Sequence, residues 1–85
     1  MANDLLVNIV SPSGSIFSGT ASAVIAPGSI GEMTLLPKHA PLLSSLAQGK
    51  ITLMGTNNTQ SVFEINSGFL EISNDKLTIL VEDVL

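Results

Sequence analysis

The stretch GSIGEMTLLPKHAPLLSSL, Gly28 to Leu46, gathers the side chains on which any chemistry would have to rest. It holds the single histidine of the chain, His39, two of the four prolines, and Glu32 directly after Gly31. A Ser-His-acid triad would need His39 to meet a serine on one side and an orienting carboxylate on the other. Nothing like a nucleophile elbow accompanies it. One histidine with scattered carboxylates lacks the paired-ligand spacing of a metal site. The glycines of PGSIGEM have neither Walker nor dinucleotide-fingerprint spacing, and no lysine follows where a phosphate loop needs one. They are expected to form turns. No catalytic residue, cofactor or metal is predicted, which leaves recognition by shape and charge as the use of this segment.

Strands must position it. Strict alternation puts Leu5, Val7 and Ile9 on one face of LLVNIV, Ile51 and Leu53 on one face of KITLM, and Phe63 and Ile65 on one face of SVFEIN. Leu70 and Ile72 repeat the pattern in GFLEIS, as do Leu77, Ile79 and Val81 in KLTILVE. Five segments of period two make the chain all-β. Turn signals separate them: SPSGS at 11–15, SG at 18–19, PGS at 27–29, QG at 48–49, GTNNTQ at 55–60, SG at 67–68 and SND at 73–75. Such spacing predicts antiparallel hairpins closing into a sandwich or flattened barrel. APLLSSLAQ is the one stretch where a helical turn competes, with Pro41 and Gly49 leaving it little length. Val62, Met54, Phe69 and Leu80 fall on the faces that should be wet. Either a small sandwich curls over its own edges, or these residues form an apolar patch awaiting a partner.

At 85 residues there is room for one domain, 1–85, which hides roughly 60–65% of the surface of its unfolded chain. With three Phe and no Trp or Tyr, the core must be built from Ile, Leu and Val. The absence of cysteine rules out a disulfide framework and thiolate metal sites. Three lysines and no arginine against seven acids give a net charge of −4, which makes nucleic acid and anionic lipid poor partners. No apolar run approaches the roughly 20 residues of a membrane span. The start MANDLLVN lacks the basic region of a signal peptide. A soluble, unprocessed chain without direct bilayer insertion is expected.

Read in order, VNIVSPSGSIFSGTASAVIAPGSIGEMTLLPKHAPLLSSLAQGKI resembles the amino-terminal domain of the epsilon subunit of F-type ATP synthases, the subunit called delta in mitochondria. The resemblance is carried by Val10 and Ser11, Phe17 and Gly19, Gly28 and Gly31, then Pro37, His39, Ala40 and Pro41 with Leu42 and Leu43. The strand led by Gly49, the segment SGFLEI at Gly68 and the closing LTILVEDV continue it over essentially the whole chain. Lys38 departs from the pattern, standing where many members carry Gly or Asn, and the loop GTNNTQ holds no recognisable motif.

The resemblance implies a flattened ten-stranded β-sandwich of two five-stranded sheets, with the carboxy-terminal helical pair of the family absent. The chain is either a shortened piece or a naturally minimal member, and without the helices it should neither restrain ATP hydrolysis nor bind ATP. It implies a non-catalytic rotor subunit that joins the gamma subunit of the central stalk to the ring subunits of the membrane sector. Its location would be peripheral, on the cytoplasmic side of the inner membrane in a bacterium. Ser29, Ile30, Gly31 and Glu32 match the segment that rests on the ring. There Glu32 is either a charge-assisted partner of basic ring loops or a solvated turn acid. His39, Ala40, Pro41, Leu42, Leu43 and Ser44 match the edge lying against gamma, with Ser11 nearby. For His39 the alternative is a ring that bonds a neighbouring carbonyl. Two other classes stay open: a free-standing β-sandwich module that binds a small ligand, a carbohydrate or a protein, the first two lacking aromatic platforms in this composition, and an enzyme using His39.

Overall fold

The computed structural model of the chain describes residues 4–55 and 59–82. The centre of the GTNNTQ turn and the last residues of VEDVL lie outside the described residues. Nine strands are present among them: β1 (Leu5–Ser11), β2 (Gly14–Ala21), β3 (Ala23–Gly28), β4 (Gly31–Leu35), β5 (Leu42–Leu46), β6 (Gly49–Met54), β7 (Gln60–Ile65), β8 (Gly68–Ser73) and β9 (Lys76–Val81). APLLSSLAQ is strand, not helix, at Leu42–Leu46.

One hydrogen-bonded path runs β2-β1-β9-β8-β5-β3-β6-β7, with β4 added on β3. All neighbours are antiparallel except β1 and β9, which are parallel. The path divides into a layer β2-β1-β9-β8-β5 and a layer β4-β3-β6-β7, joined where Gly28 of β3 pairs with Leu46 of β5. The all-β sandwich expected from the sequence is present, with nine strands rather than ten among the described residues. The described residues hold five strands in one layer and four in the other, within a single curled sheet.

The physical reason is a corner. Leu42↔Ile72 through Leu46↔Gly68 and Gly49↔Ile65 through Met54↔Gln60 follow one uninterrupted register. Residues 42–54 and 60–72 are therefore one long hairpin, bent between Leu46 and Gly49, whose halves belong to different layers. Strands that switch sheets at a bend are the usual way to close such a corner. At the bend Gly68 is buried, and a Cβ there would run into the carbonyl oxygen of Leu80.

Alternation does the rest. Leu5, Val7, Ile9, Ile51, Leu53, Ile65, Leu70, Ile72, Leu77, Ile79 and Val81, all placed inward by the sequence pattern, are buried in one core. Both layers contribute to that core, with Val24, Ala26 and Leu35 from β3 and β4. Phe63 is only half-buried and meets Phe17 edge to face, ring centroids 6.0 Å apart. The SG signal at 18–19 is not a turn. Gly19 lies inside β2 opposite Val7, and the Phe17 ring covers it, 3.0 Å from where a Cβ would stand. Glycine here makes room for a ring on the strand surface rather than breaking the strand.

Candidate functional site

The Gly28–Leu46 stretch spans the molecule from end to end. At one end β3 and β4 form a hairpin closed by Gly28↔Gly31, with Ser29 and Ile30 as its two-residue loop. Gly31 takes φ 144°, a conformation side-chain-bearing residues rarely adopt. A Cβ on Gly28 would lie 2.6 Å from the Gly31 carbonyl, so both ends of this tight loop require glycine. The tip pushes Ile30 fully into solvent, and Glu32 follows it, exposed, opposite Pro27.

Among the described residues the hairpin is fastened on one side only. Ser29 N–H donates to Ser45 O at 3.1 Å, the Ser29 and Ser45 hydroxyls share a hydrogen bond of 2.7 Å, and Ala47 N–H donates to Pro27 O at 2.8 Å. Charge at this end is negative on balance. Glu82 lies by the β9 terminus, where its main-chain N–H donates to Ser67 O, and Lys50 is matched by Glu64 across β6 and β7 at 3.9 Å.

His39 stands at the opposite end. The turn Leu36–Pro37–Lys38–His39 is closed by His39 N–H donating to Leu36 O at 3.2 Å, and Lys38 takes φ 66°. Proline second and positive φ third is the pattern of a type II turn. His39 Nδ1 is 2.7 Å from Ala40 O. The ring nitrogen that a triad would turn toward a carboxylate is thus held by a main-chain carbonyl, as the structural alternative for this histidine expected.

Between the two ends runs β5. Leu42 and Ser44 pair with buried Ile72 and Leu70 and face inward, half-buried. Leu43 and Ser45 face outward, and Leu43 is 73% exposed. Ala40 and Pro41 are exposed just before the strand.

Registers decide which predicted residues meet. Val10, Leu80, Phe69 and Ser45 form one cross-strand row on the outer face. Ser11, next along β1, therefore lies at the Ser29–Ile30 end and not beside His39. There it folds into its own turn, accepting Ser13 N–H and donating to Gly14 O, each at 3.3 Å.

That row floors a groove of about 540 Å³, which Leu46, Val81 and Pro12 also line. Phe69 and Leu80 are more than half exposed in it, so the wet-face apolar residues of this layer do form a patch. Val62 is exposed too, but on β7 in the other layer. Period-two reading singled out Phe69 and Leu80. It had no means to place Val10 or Ser45 beside them, because that requires the parallel β1–β9 pairing for Val10 and the β5–β8 pairing for Ser45.

Residues 4–85 match the family described as ATP synthase, Delta/Epsilon chain, beta-sandwich domain. The ATP synthase epsilon chain of Acidithiobacillus ferridurans is 43% identical over 96% of this chain, which spans only 57% of that relative. The Chlorobium limicola epsilon chain is 41% identical over 92% of this chain, and 89% of that relative is covered. Among solved structures, a chain of the Euglena gracilis mitochondrial ATP synthase superposes with a TM-score of 0.92 at 16% identity, covering all of this chain and 54% of its own. A chain of the Tetrahymena thermophila mitochondrial ATP synthase gives 0.81 at 17% identity, over 95% of this chain and 65% of its own. At such identities the structural likeness concerns the fold.

Proposed function

The chain belongs to the ATP synthase delta/epsilon family, as its β-sandwich domain, and from that premise we propose that it is a non-catalytic rotor component linking the gamma subunit to the membrane ring. The Euglena structure includes the c-ring, and the Tetrahymena one is of the central stalk and c-ring. Ser29, Ile30, Gly31 and Glu32 form the ring contact. His39, Ala40, Pro41, Leu42, Leu43 and Ser44 face gamma, and Ser11 joins from the loop end. The protein then sits peripherally, on the cytoplasmic side of the inner membrane if the source is bacterial.

The observation that carries this reading is the two-residue hairpin, a short and stiff tip that holds exposed Ile30 and Glu32 clear of the sandwich. Transmitting torque requires such stiffness, because a loop that bends absorbs the rotation it should pass on. The negative balance at this end suits basic loops on the ring, to which Glu32 offers a charge-assisted hydrogen bond.

Reversal of that charge tests it. Glu32→Lys in the assembled enzyme is expected to lower ATP-driven proton pumping relative to ATP hydrolysis while the isolated domain keeps its unfolding midpoint. Unchanged coupled pumping would show that the hairpin does not serve as the ring contact.

A further inference from the structure

We propose that Ser45 is the positioning residue for the ring-contact tip, fixing Ser29 and Ile30 to the end of the strand that carries the gamma-facing residues. This rests on the ring-contact reading given above. Three observations support it.

The first is one-sidedness. Among the described residues β4 pairs only with β3, and the tip receives its hydrogen bonds from beyond the hairpin on the β5 side alone. Ser45 supplies two of them, a carbonyl to Ser29 N–H and a hydroxyl to the Ser29 hydroxyl. The second is geometry. At 2.7 Å the hydroxyl pair lies at the preferred O–H···O distance. A hydroxyl at each side suits the pair, because a hydroxyl bonds another hydroxyl by donating or accepting as required. The third is register. Ser45 shares the outer face of β5 with Leu43, so one strand fixes the spacing between the proposed ring contact and an exposed residue of the proposed gamma contact.

The hydroxyl bond has a distinct role from the main-chain bond beside it. Ser29 N–H to Ser45 O fixes how far the loop lies from β5. The side-chain bond closes a second link at the same residue pair and so resists rotation of the tip about the first. Without it Ile30 and Glu32 would sample more orientations, and binding would have to order them again.

Ser45→Thr and Ser45→Val are near-isosteric, both suit a strand, and only Thr keeps the hydroxyl. The whole chain carrying each change, and Ser29→Ala, is to be titrated against the purified membrane ring of an F-type ATP synthase. Urea midpoints and exchange of the Ile30 and Gly31 amides are followed in parallel. Ser45→Val and Ser29→Ala are each expected to bind the ring about three- to tenfold more weakly, the range that one net hydrogen bond commands. The tip amides should exchange faster, Ser45→Thr should restore both readouts, and the double variant should be no weaker than either single one.

Equal losses for Thr and Val would remove the hydroxyl as the agent and overturn the proposal. Glu32→Lys separates the two levels of inference. If it weakens ring binding while Ser45→Val and Ser29→Ala do not, the positioning role fails and the ring contact stands. If none of the three changes ring binding, the ring contact itself is wrong and the positioning role falls with it. Should Ser45→Val lower the urea midpoint, Ser29→Ala removes the same hydroxyl bond from the loop side and decides between these outcomes without altering a strand.

Discussion

The carboxylate of Asp75 accepts the main-chain N–H of Lys38 at 2.6 Å, tying the β8–β9 turn to the turn that precedes His39. Both residues adopt positive φ, 66° for Lys38 and 61° for Asp75. A side-chain-bearing residue costs about 1–2 kcal/mol in this region, and glycine nearly nothing. Lys38→Gly is therefore expected to raise the unfolding free energy by about 0.5–1 kcal/mol, after the added freedom of the unfolded chain is subtracted. Asp75→Ala loses the acceptor and keeps the strain, which should cost about 2 kcal/mol. Urea denaturation of the two variants should move the midpoint in opposite directions, and identical midpoints would show that this bridge carries no stability.

Leu70 and Phe69 are neighbours in β8, as are Ile79 and Leu80 in β9, yet they face opposite sides. Truncating the buried members, Leu70→Ala or Ile79→Ala, should cost about 3 kcal/mol through lost burial and a residual cavity. Phe69→Ser and Leu80→Ser should stay within about 1 kcal/mol. The whole domain has roughly 4–13 kcal/mol to lose, so the inward pair threatens folding and the outward pair does not. Thermal and urea unfolding of the four variants checks the face assignment; a large loss for Leu80→Ser would mean that its side chain packs where the structure leaves it exposed.

Gly68→Ala adds one methyl group at the corner of the long hairpin, against the Leu80 carbonyl. Main chain cannot step aside as a flexible side chain can, and the two strands there are hydrogen-bonded to each other. The expected loss is about 2–3 kcal/mol or more, from the smallest substitution a glycine can undergo. Circular dichroism against urea would detect it, and a wild-type midpoint would show that the corner is looser than its packing implies.

Leu43 tests the proposed gamma-facing edge without touching the core. Leu43→Asp places a charge on a residue 73% exposed, so the domain should unfold at its usual midpoint. Capture of purified gamma should weaken about tenfold or more, as for a central apolar contact. His39→Ala, which frees the Ala40 carbonyl, should leave the fold intact and weaken gamma binding less. Undiminished capture by Leu43→Asp would move the gamma surface away from β5.

Most of the buried core was legible because one apolar residue in two, over five segments, can only mean strands with one face inward. β2, β3, β4 and β5 were harder to read. GSIFSGTA places small Gly19 and Ala21 on its inward face and LLSSL places Ser44 there, and AVIAPG ends in two residues that read as a turn but complete the strand. The turns at Pro12–Ser13 and Asn74–Asp75 were correctly signalled by residues that tolerate such backbones. Lys38 takes positive φ, a backbone in which Gly or Asn would fit with less strain. The tip was named from the resemblance, while its fastening to Ser45 was invisible. A hydrogen bond between residues sixteen positions apart leaves no periodic trace, and it exists only because the Leu46–Gly49 corner brings β5 alongside Gly28.

The parallel pairing of β1 with β9 also sets an order of events during synthesis. β9 lies between β1 and β8, so among the described residues the β1–β2 hairpin has no neighbour to join until Lys76–Val81 has been made. Sixty residues separate the end of β2 at Ala21 from the end of β9 at Val81, roughly 3–12 s at the usual pace of translation. Throughout that interval Leu5, Val7 and Ile9 face water, and closure of so distant a contact is itself slow. In the cell, β1 is the described strand with the longest wait for its second neighbour.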